Sequence, residues 1–223
     1  MTSPLPRVAV LASGRGSNFA SLLAARERNE LPVEFALVAS DKASAGVLRL
    51  AEAAGIPTLA LDPRSYADRC EFDADLFARV AASGAELLVL AGFMRIIDGD
   101  VLTPWVGRMI NIHPSLLPKY RGLHTHRRAL EADDLEHGAS VHFVTAELDG
   151  GPVIAQARIA IRRDDDEQSL AERLLPLEHQ LLPAVLCLLA NGRLGWDGQA
   201  PRFDGQPLTV PLTLVAGELQ PAE

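Results

Sequence analysis

Apolar residues along the chain fall into two rhythms, short unbroken runs and stretches where they recur every three or four positions. Runs of the first kind read as strands buried on both faces: Arg7–Ser13 (RVAVLAS), Val33–Ser40 (VEFALVAS), Thr58–Leu61, Leu87–Ala91 (LLVLA) and Met109–His113 (MINIH). Between them, Phe19, Leu22 and Leu23 share one helical face. The Ala- and Leu-rich segment Ala43–Ala54 predicts a second helix, stopped by Gly55. Phe72, Leu76 and Val80 predict a third over Asp68–Ser83, ended by Gly84. Such alternation implies right-handed βαβ units, hence an α/β fold with a mostly parallel, Rossmann-like sheet and helices on both faces.

Beyond residue 138 the rhythm changes. Ala139–Val144 and Val153–Ile161 flank the turn Leu148-Asp149-Gly150-Gly151-Pro152 and predict an antiparallel extension of the sheet. Asp166–Asn191 is one long helical stretch, which Pro176 and Pro183 are expected to kink or divide. The Gly- and Pro-punctuated remainder predicts short edge structure or loop. The expected organisation is one domain over 1–195 followed by a C-terminal tail over 196–223.

In open α/β sheets ligands gather beyond the carboxyl ends of the strands, and the unusual residues stand there. Gly14-Arg15-Gly16-Ser17-Asn18, between a strand and a helix, collects backbone N–H groups and a helix N-terminus around one point, which suits a phosphate. It is not a Walker loop, which ends in Gly-Lys-Ser/Thr, and Phe19 stands where a dinucleotide fingerprint needs its third glycine. Asp41 does sit near the position of a ribose-binding acid. A tight turn with Ser17 or Asn18 as helix N-cap fits the loop equally well.

Alternation places Asn111 and His113 on one face of their strand and Ile112 on the other. Two polar side chains at a buried strand's end are costly unless they bind something. Histidine carries a proton near neutral pH, and an amide can donate to a developing oxyanion. Asp149 is the candidate acid to orient the ring and raise its pKa. The alternative is that both side chains merely satisfy loop backbone. His124 and His126, two apart, could form a metal pair, but Thr125 capping the next helix is the simpler reading. His137, His142 and His179 have no ligand-like spacing, and Asp164–Glu167 reads as a solvated helix start.

Composition narrows the classes. The 223 residues are 48% apolar and 22% charged, which excludes disordered, collagen-like and disulfide-scaffold chains. Lys and Arg number 21 against 29 Asp and Glu, so the net charge of −8 argues against a nucleic-acid partner. Cys70 and Cys187 form no CxxC pair, as expected of ordinary reduced thiols and no metal site. The N-terminus lacks a signal-peptide pattern and the apolar stretches are strand-sized, so a cytoplasmic protein without membrane association is expected. No GxSxG elbow is present.

The ordered set SGRGSN, LVLAGFMRI, NIHPSLLPKYRGLHTHRRALE and GASVHFVTAELDGGPVI resembles the phosphoribosylglycinamide formyltransferases, folate-dependent enzymes of purine synthesis, from about Val8 to about Leu194. The resemblance implies a formyltransferase fold with a nucleotide-binding half over about 7–108 and a catalytic and folate half over about 109–195. It implies that Asn111, His113 and Asp149 are the catalytic trio. Gly16, Ser17 and Asn18 match the phosphate loop for the ribonucleotide. Glu178, in the helix segment Leu175–Glu178, matches an acid contacting the glycinamide substrate. Arg69, Met94, Arg95, Ile96, Ile97, Thr145 and Leu148, with Asn111 and Asp149, match the folate walls. Two departures are Arg15, where some relatives have Asn, and Pro176 inside the substrate-lining segment.

The implied reaction moves the formyl group of 10-formyltetrahydrofolate, a co-substrate, to the amine of 5-phosphoribosylglycinamide in de novo purine (IMP) biosynthesis. The amine attacks directly, with His113 as general acid kept charged by Asp149, and no metal takes part. The expected partners are these two small molecules, with no nucleic acid or membrane, and the chain a monomer or homodimer. The alternative activity is formyltetrahydrofolate hydrolysis.

Overall fold

The apolar runs occupy the middle of a nine-stranded sheet, where hydrophobicity on both faces is required. The structure is a computed structural model and describes residues 4–221. Strands β1 (Arg7–Leu11), β2 (Glu34–Ser40), β3 (Thr58–Ala60), β4 (Leu87–Leu90) and β5 (Met109–His113) lie parallel in the order β3-β2-β1-β4-β5. Helices α1 (Ser17–Glu27), α2 (Gly46–Ala53) and α3 (Arg69–Ala82) lie between the first four in sequence. After the short helix α4 (Thr125–Glu131), β6 (Glu136–Phe143) runs antiparallel to β5, and β7 (Val153–Ala160) antiparallel to β6.

Strand alternation divides the interior into two cores. Val8, Val10, Val38, Val89, Ile110 and Ile112 face α1, α2 and the last helix, α5 (Glu167–Ala190). Ala9, Leu11, Leu88, Leu90 and Met109 face α3 and the 3₁₀ turn at Gly99–Trp105. Asn111 and His113 continue this second set, so the α3 side of the sheet carries the polar strand end.

The prolines do not divide α5, which runs unbroken over 24 residues. Each proline costs roughly 3 kcal/mol in a helix interior. Burial of Leu170, Leu174, Leu181, Leu182, Val185 and Leu186 offsets this at roughly 1.5–3 kcal/mol apiece. Asp166 and Ser169 add a reciprocal capping box. By length and composition α5 could cross a membrane, but its apolar residues pack into the core.

The caps at two other helices differ from expectation. α1 is capped by Gly16 rather than by a Ser17 or Asn18 side chain. Gly16 has φ 86°, and a Cβ there would lie 2.8 Å from the Cβ of Val47, so only glycine fits. α4 is preceded by His124 in the left-handed region, and Thr125 is its first helical residue, making no side-chain cap.

The stretch expected as edge structure or loop forms five strands. β8 (Leu194–Trp196), β9 (Pro201–Phe203) and β10 (Gln206–Pro207) make a small antiparallel sheet. β11 (Leu212–Val215) joins β7 in parallel, and β12 (Glu218–Gln220) folds back on it. Leu194 and Leu212 enter the first core, and the Trp196 ring meets Phe143 edge-on at 5.5 Å.

Candidate active site

Strand order reverses at β1, whose neighbours are β2 and β4, and the carboxyl ends of adjacent β1, β4 and β5 hold the motif residues. The segment after β4, Gly92–Asp98, forms the wall between them. Two cavities open there. One, of about 600 Å³, is lined by Met94, His113, His124, His126 and Glu167 among others. A narrower one, of about 80 Å³, is lined by Ile97, Leu102, His142, Val144 and Thr145 among others. They share Phe93, Arg95, Ile96, Asn111, Leu148 and Asp149.

The shared wall carries the polar centre. Asp149 sits on the β6–β7 connection at φ 46°. A Cβ at Gly151 would run into the Phe143 carbonyl, which explains glycine in that turn. Asp149 Oδ2 accepts from the Gly122 backbone N–H at 2.9 Å and lies 3.4 Å from His113 Nδ1. Its Oδ1 accepts from Asn111 Nδ2 at 3.3 Å. His113 Nε2 donates to the Tyr120 carbonyl at 2.9 Å, which assigns a proton to Nε2 and leaves Nδ1 as the titrating atom.

Burial pushes the His113 imidazole below its ordinary value, outweighing the Tyr120 carbonyl and the charge of Asp149. Asp149 favours the charged ring, as expected, but burial opposes it and is the larger of the two effects. For Asp149, burial pushes upward, but His142, His113 and the Gly122 N–H together hold the carboxyl below its usual range. A neutral His113 presents a lone pair to this carboxylate. A proton arriving at Nδ1 turns that contact into an ion pair.

Sequence reasoning missed His142. It pairs with Asn111 across β5 and β6, and its Nε2 lies 3.1 Å from Asn111 Nδ2 and 3.5 Å from Asp149 Oδ1. Its Nδ1 donates to the Phe143 carbonyl at 2.8 Å, so in the neutral ring Nε2 is the acceptor for Asn111. The available signal was a histidine inside an apolar strand run. The Tyr120 carbonyl and Gly122 N–H are backbone groups with no side-chain signal.

The other expected residues divide. Arg95, Ile96, Ile97, Met94, Thr145 and Leu148 line the cavities. Arg69 is exposed, lines neither, and lies 3.5 Å from Asp98. Gly16, Ser17, Asn18 and Glu178 also line neither, but they do come together: Asn18 Nδ2 donates to Glu178 Oε2 at 2.9 Å, bringing α1 to α5. Burial pushes the Glu178 carboxyl upward against that hydrogen bond. Asn18 Oδ1 is buried with no partner among the described residues.

No group of three or more His, Cys, Asp or Glu side chains suited to a metal occurs among the described residues, and His124 and His126 differ in their surroundings. His126 Nδ1 lies 3.0 Å from His137 Nε2. Burial, reinforced by His126, pushes His137 down to about 4. The unfolded chain then takes up this proton first, so stability is lost as pH falls from about 6.5 to about 4. The expected size is at most about 3.5 kcal/mol, at about 1.4 kcal/mol per pKa unit. Thermal unfolding at successive pH values should show a smaller acid loss in His137→Gln than in the parent. Equal losses would show that His137 does not contribute.

Comparison with known proteins identifies the family. The family model described as formyl transferase matches residues 6–186. The phosphoribosylglycinamide formyltransferase of Escherichia coli (strain K12) is 44% identical over 201 residues, covering 90% of this chain and 95% of that protein. The chain belongs to the formyl transferase family. Within it, the similarity is to phosphoribosylglycinamide formyltransferases. The solved structure of that protein from Coxiella burnetii superposes with a TM-score of 0.88 at 42% identity, covering 93% of this chain and 97% of the other. The trifunctional purine biosynthetic protein adenosine-3 of Drosophila melanogaster is 44% identical over 188 residues, 83% of this chain but 14% of that larger protein. The hydrolase alternative gains no support from these relatives.

Proposed function

We propose that this formyl transferase family member moves the formyl group of 10-formyltetrahydrofolate to the primary amine of phosphoribosylglycinamide, a step of purine biosynthesis. The observation that carries the reading is the convergence of Asn111, His113 and Asp149 at one cavity: all three line the larger one, Asn111 and Asp149 also line the smaller, and Asp149 contacts both His113 and Asn111. The attacking nitrogen belongs to the substrate, so no protein nucleophile is required, in keeping with the absence of a serine elbow.

The amine attacks the formyl carbon and gives a tetrahedral adduct with a negative oxygen. His113 Nδ1, neutral at rest, accepts the proton the nitrogen sheds. The resulting imidazolium, paired with Asp149, opposes the negative oxygen, and Asn111 donates to it by turning one amide proton away from Asp149 or His142, which hold both at rest. Collapse breaks the bond to folate N10, which receives the same proton. One proton leaves the amine and one reaches N10, so the balance closes. His113 is thus a general acid in the second half of the reaction, on a proton gained in the first.

Asn18 and Glu178 are assigned to the ribonucleotide, with the first turn of α1 supplying backbone N–H groups to phosphate. Asn18→Ala should raise KM for the ribonucleotide by about tenfold and leave KM for the folate within about twofold. Equal rises in both would remove the assignment. The activity itself is tested by folate absorbance with and without phosphoribosylglycinamide. Deformylated folate should form only with the ribonucleotide present; release without it would favour hydrolysis.

A further inference from the structure

We propose that Asp73 is a positioning residue for the folate-side wall, acting through the Phe93–Asp98 segment; this rests on the function proposed above. Asp73 lies on α3, fully buried beside Phe72, Leu76 and Phe77. A carboxylate in such a place is costly unless its charge and lone pairs are used. Its Oδ2 accepts from the backbone N–H of Asp98 at 2.8 Å. That bond fixes the end of the segment at which the Asp98 side chain starts the next turn, accepting from Asp100 N–H at 3.0 Å. The beginning is fixed by the Met94 N–H, which donates to the buried Ser13 Oγ at 2.9 Å.

Between these two points Arg95, Ile96 and Ile97 line the smaller cavity. Apolar burial holds only part of the segment: Phe93 lies in the second core and Ile97 packs against it, while Met94 is 65% and Ile96 55% exposed. Around these apolar contacts its shape depends on the two polar fastenings and on Arg95. The Arg95 guanidinium lies over the ring of Phe72, the neighbour of Asp73, with Cζ 4.7 Å from the centroid. Asp73 Oδ1 and Arg95 Nε are both buried and, among the described residues, both lack a hydrogen-bond partner. Burial pushes the Asp73 carboxyl upward, and the Asp98 N–H and the charges of Arg95 and Arg69 oppose it. A neutral side chain could fill the same volume. What the carboxylate adds is a fixed acceptor for Asp98 and a fixed counter-charge for Arg95, the cation shared by both cavities.

The test measures both Michaelis constants in Asp73→Asn and Asp73→Ala. Asparagine keeps an acceptor for the Asp98 N–H and removes the charge; alanine removes both. KM for 10-formyltetrahydrofolate should rise about tenfold in the alanine variant and less in the asparagine variant. KM for phosphoribosylglycinamide and kcat should stay within about twofold. If alanine prevents folding, the near-isosteric asparagine variant decides. An unchanged folate KM in folded Asp73→Asn, or a parallel rise in both constants, would overturn the proposal. Failure of the functional reading shows separately, as absence of transfer by the parent protein. Calorimetric binding of 10-formyltetrahydrofolate to parent and variants then decides, and equal affinity or no binding would overturn the role of Asp73.

Discussion

His113→Ala should lower kcat by about 10²–10⁴, the range spanned by losing a positioned acid–base group or an oxyanion donor. The effect is expected in turnover more than in KM, because the ring's charge appears only as the adduct forms. The imidazole is nearly enclosed, and its resting contacts are one carbonyl and one carboxylate. Removing it leaves the Tyr120 carbonyl and a small void, too little to unfold a domain with two separate hydrophobic cores. Thermal unfolding alongside single-turnover rates checks both halves. Near-parental turnover would take His113 out of the chemistry.

The second large effect is expected at Asp149→Asn, a loss of about 10²–10³ in kcat. The carboxylate has three uses: counter-charge to Nδ1 of His113, acceptor for Asn111, and acceptor for the Gly122 N–H. An amide retains one acceptor oxygen and turns an NH₂ group toward a neighbouring donor. Without the negative charge the His113 pKa falls further, so the imidazolium needed for the second half becomes scarcer as pH rises. The rate deficit should therefore be larger at pH 8 than at pH 6. A deficit independent of pH would mean that Asp149 orients the loop without supporting the ring's charge.

The apolar runs identified β1, β2, β4 and β5, because a parallel strand covered on both faces leaves a run that few other structures explain. Period-two alternation was enough to put Asn111 and His113 on one face. It could not say what faced them. The contact with Asp149 spans 36 positions and depends on how the β6–β7 turn folds back, so it was available only through resemblance. His142 was missed because its role follows from antiparallel register, which pairs it with Asn111. Pro176 and Pro183 do not divide α5, because the core it buries offsets a local helix cost that the sequence pattern shows without that core. The opposing pull on His113 was not legible for a related reason: a nearby acid is readable from motifs, whereas desolvation is a property of the closed fold.

Following the formyl carbon tests the central claim most directly. With 10-formyltetrahydrofolate labelled with carbon-13 at the formyl group, carbon NMR should show the label arriving on the ribonucleotide amide, one for one with deformylated folate and with no free formate. Label accumulating as formate, or leaving the folate at the same rate without the ribonucleotide, would contradict direct transfer.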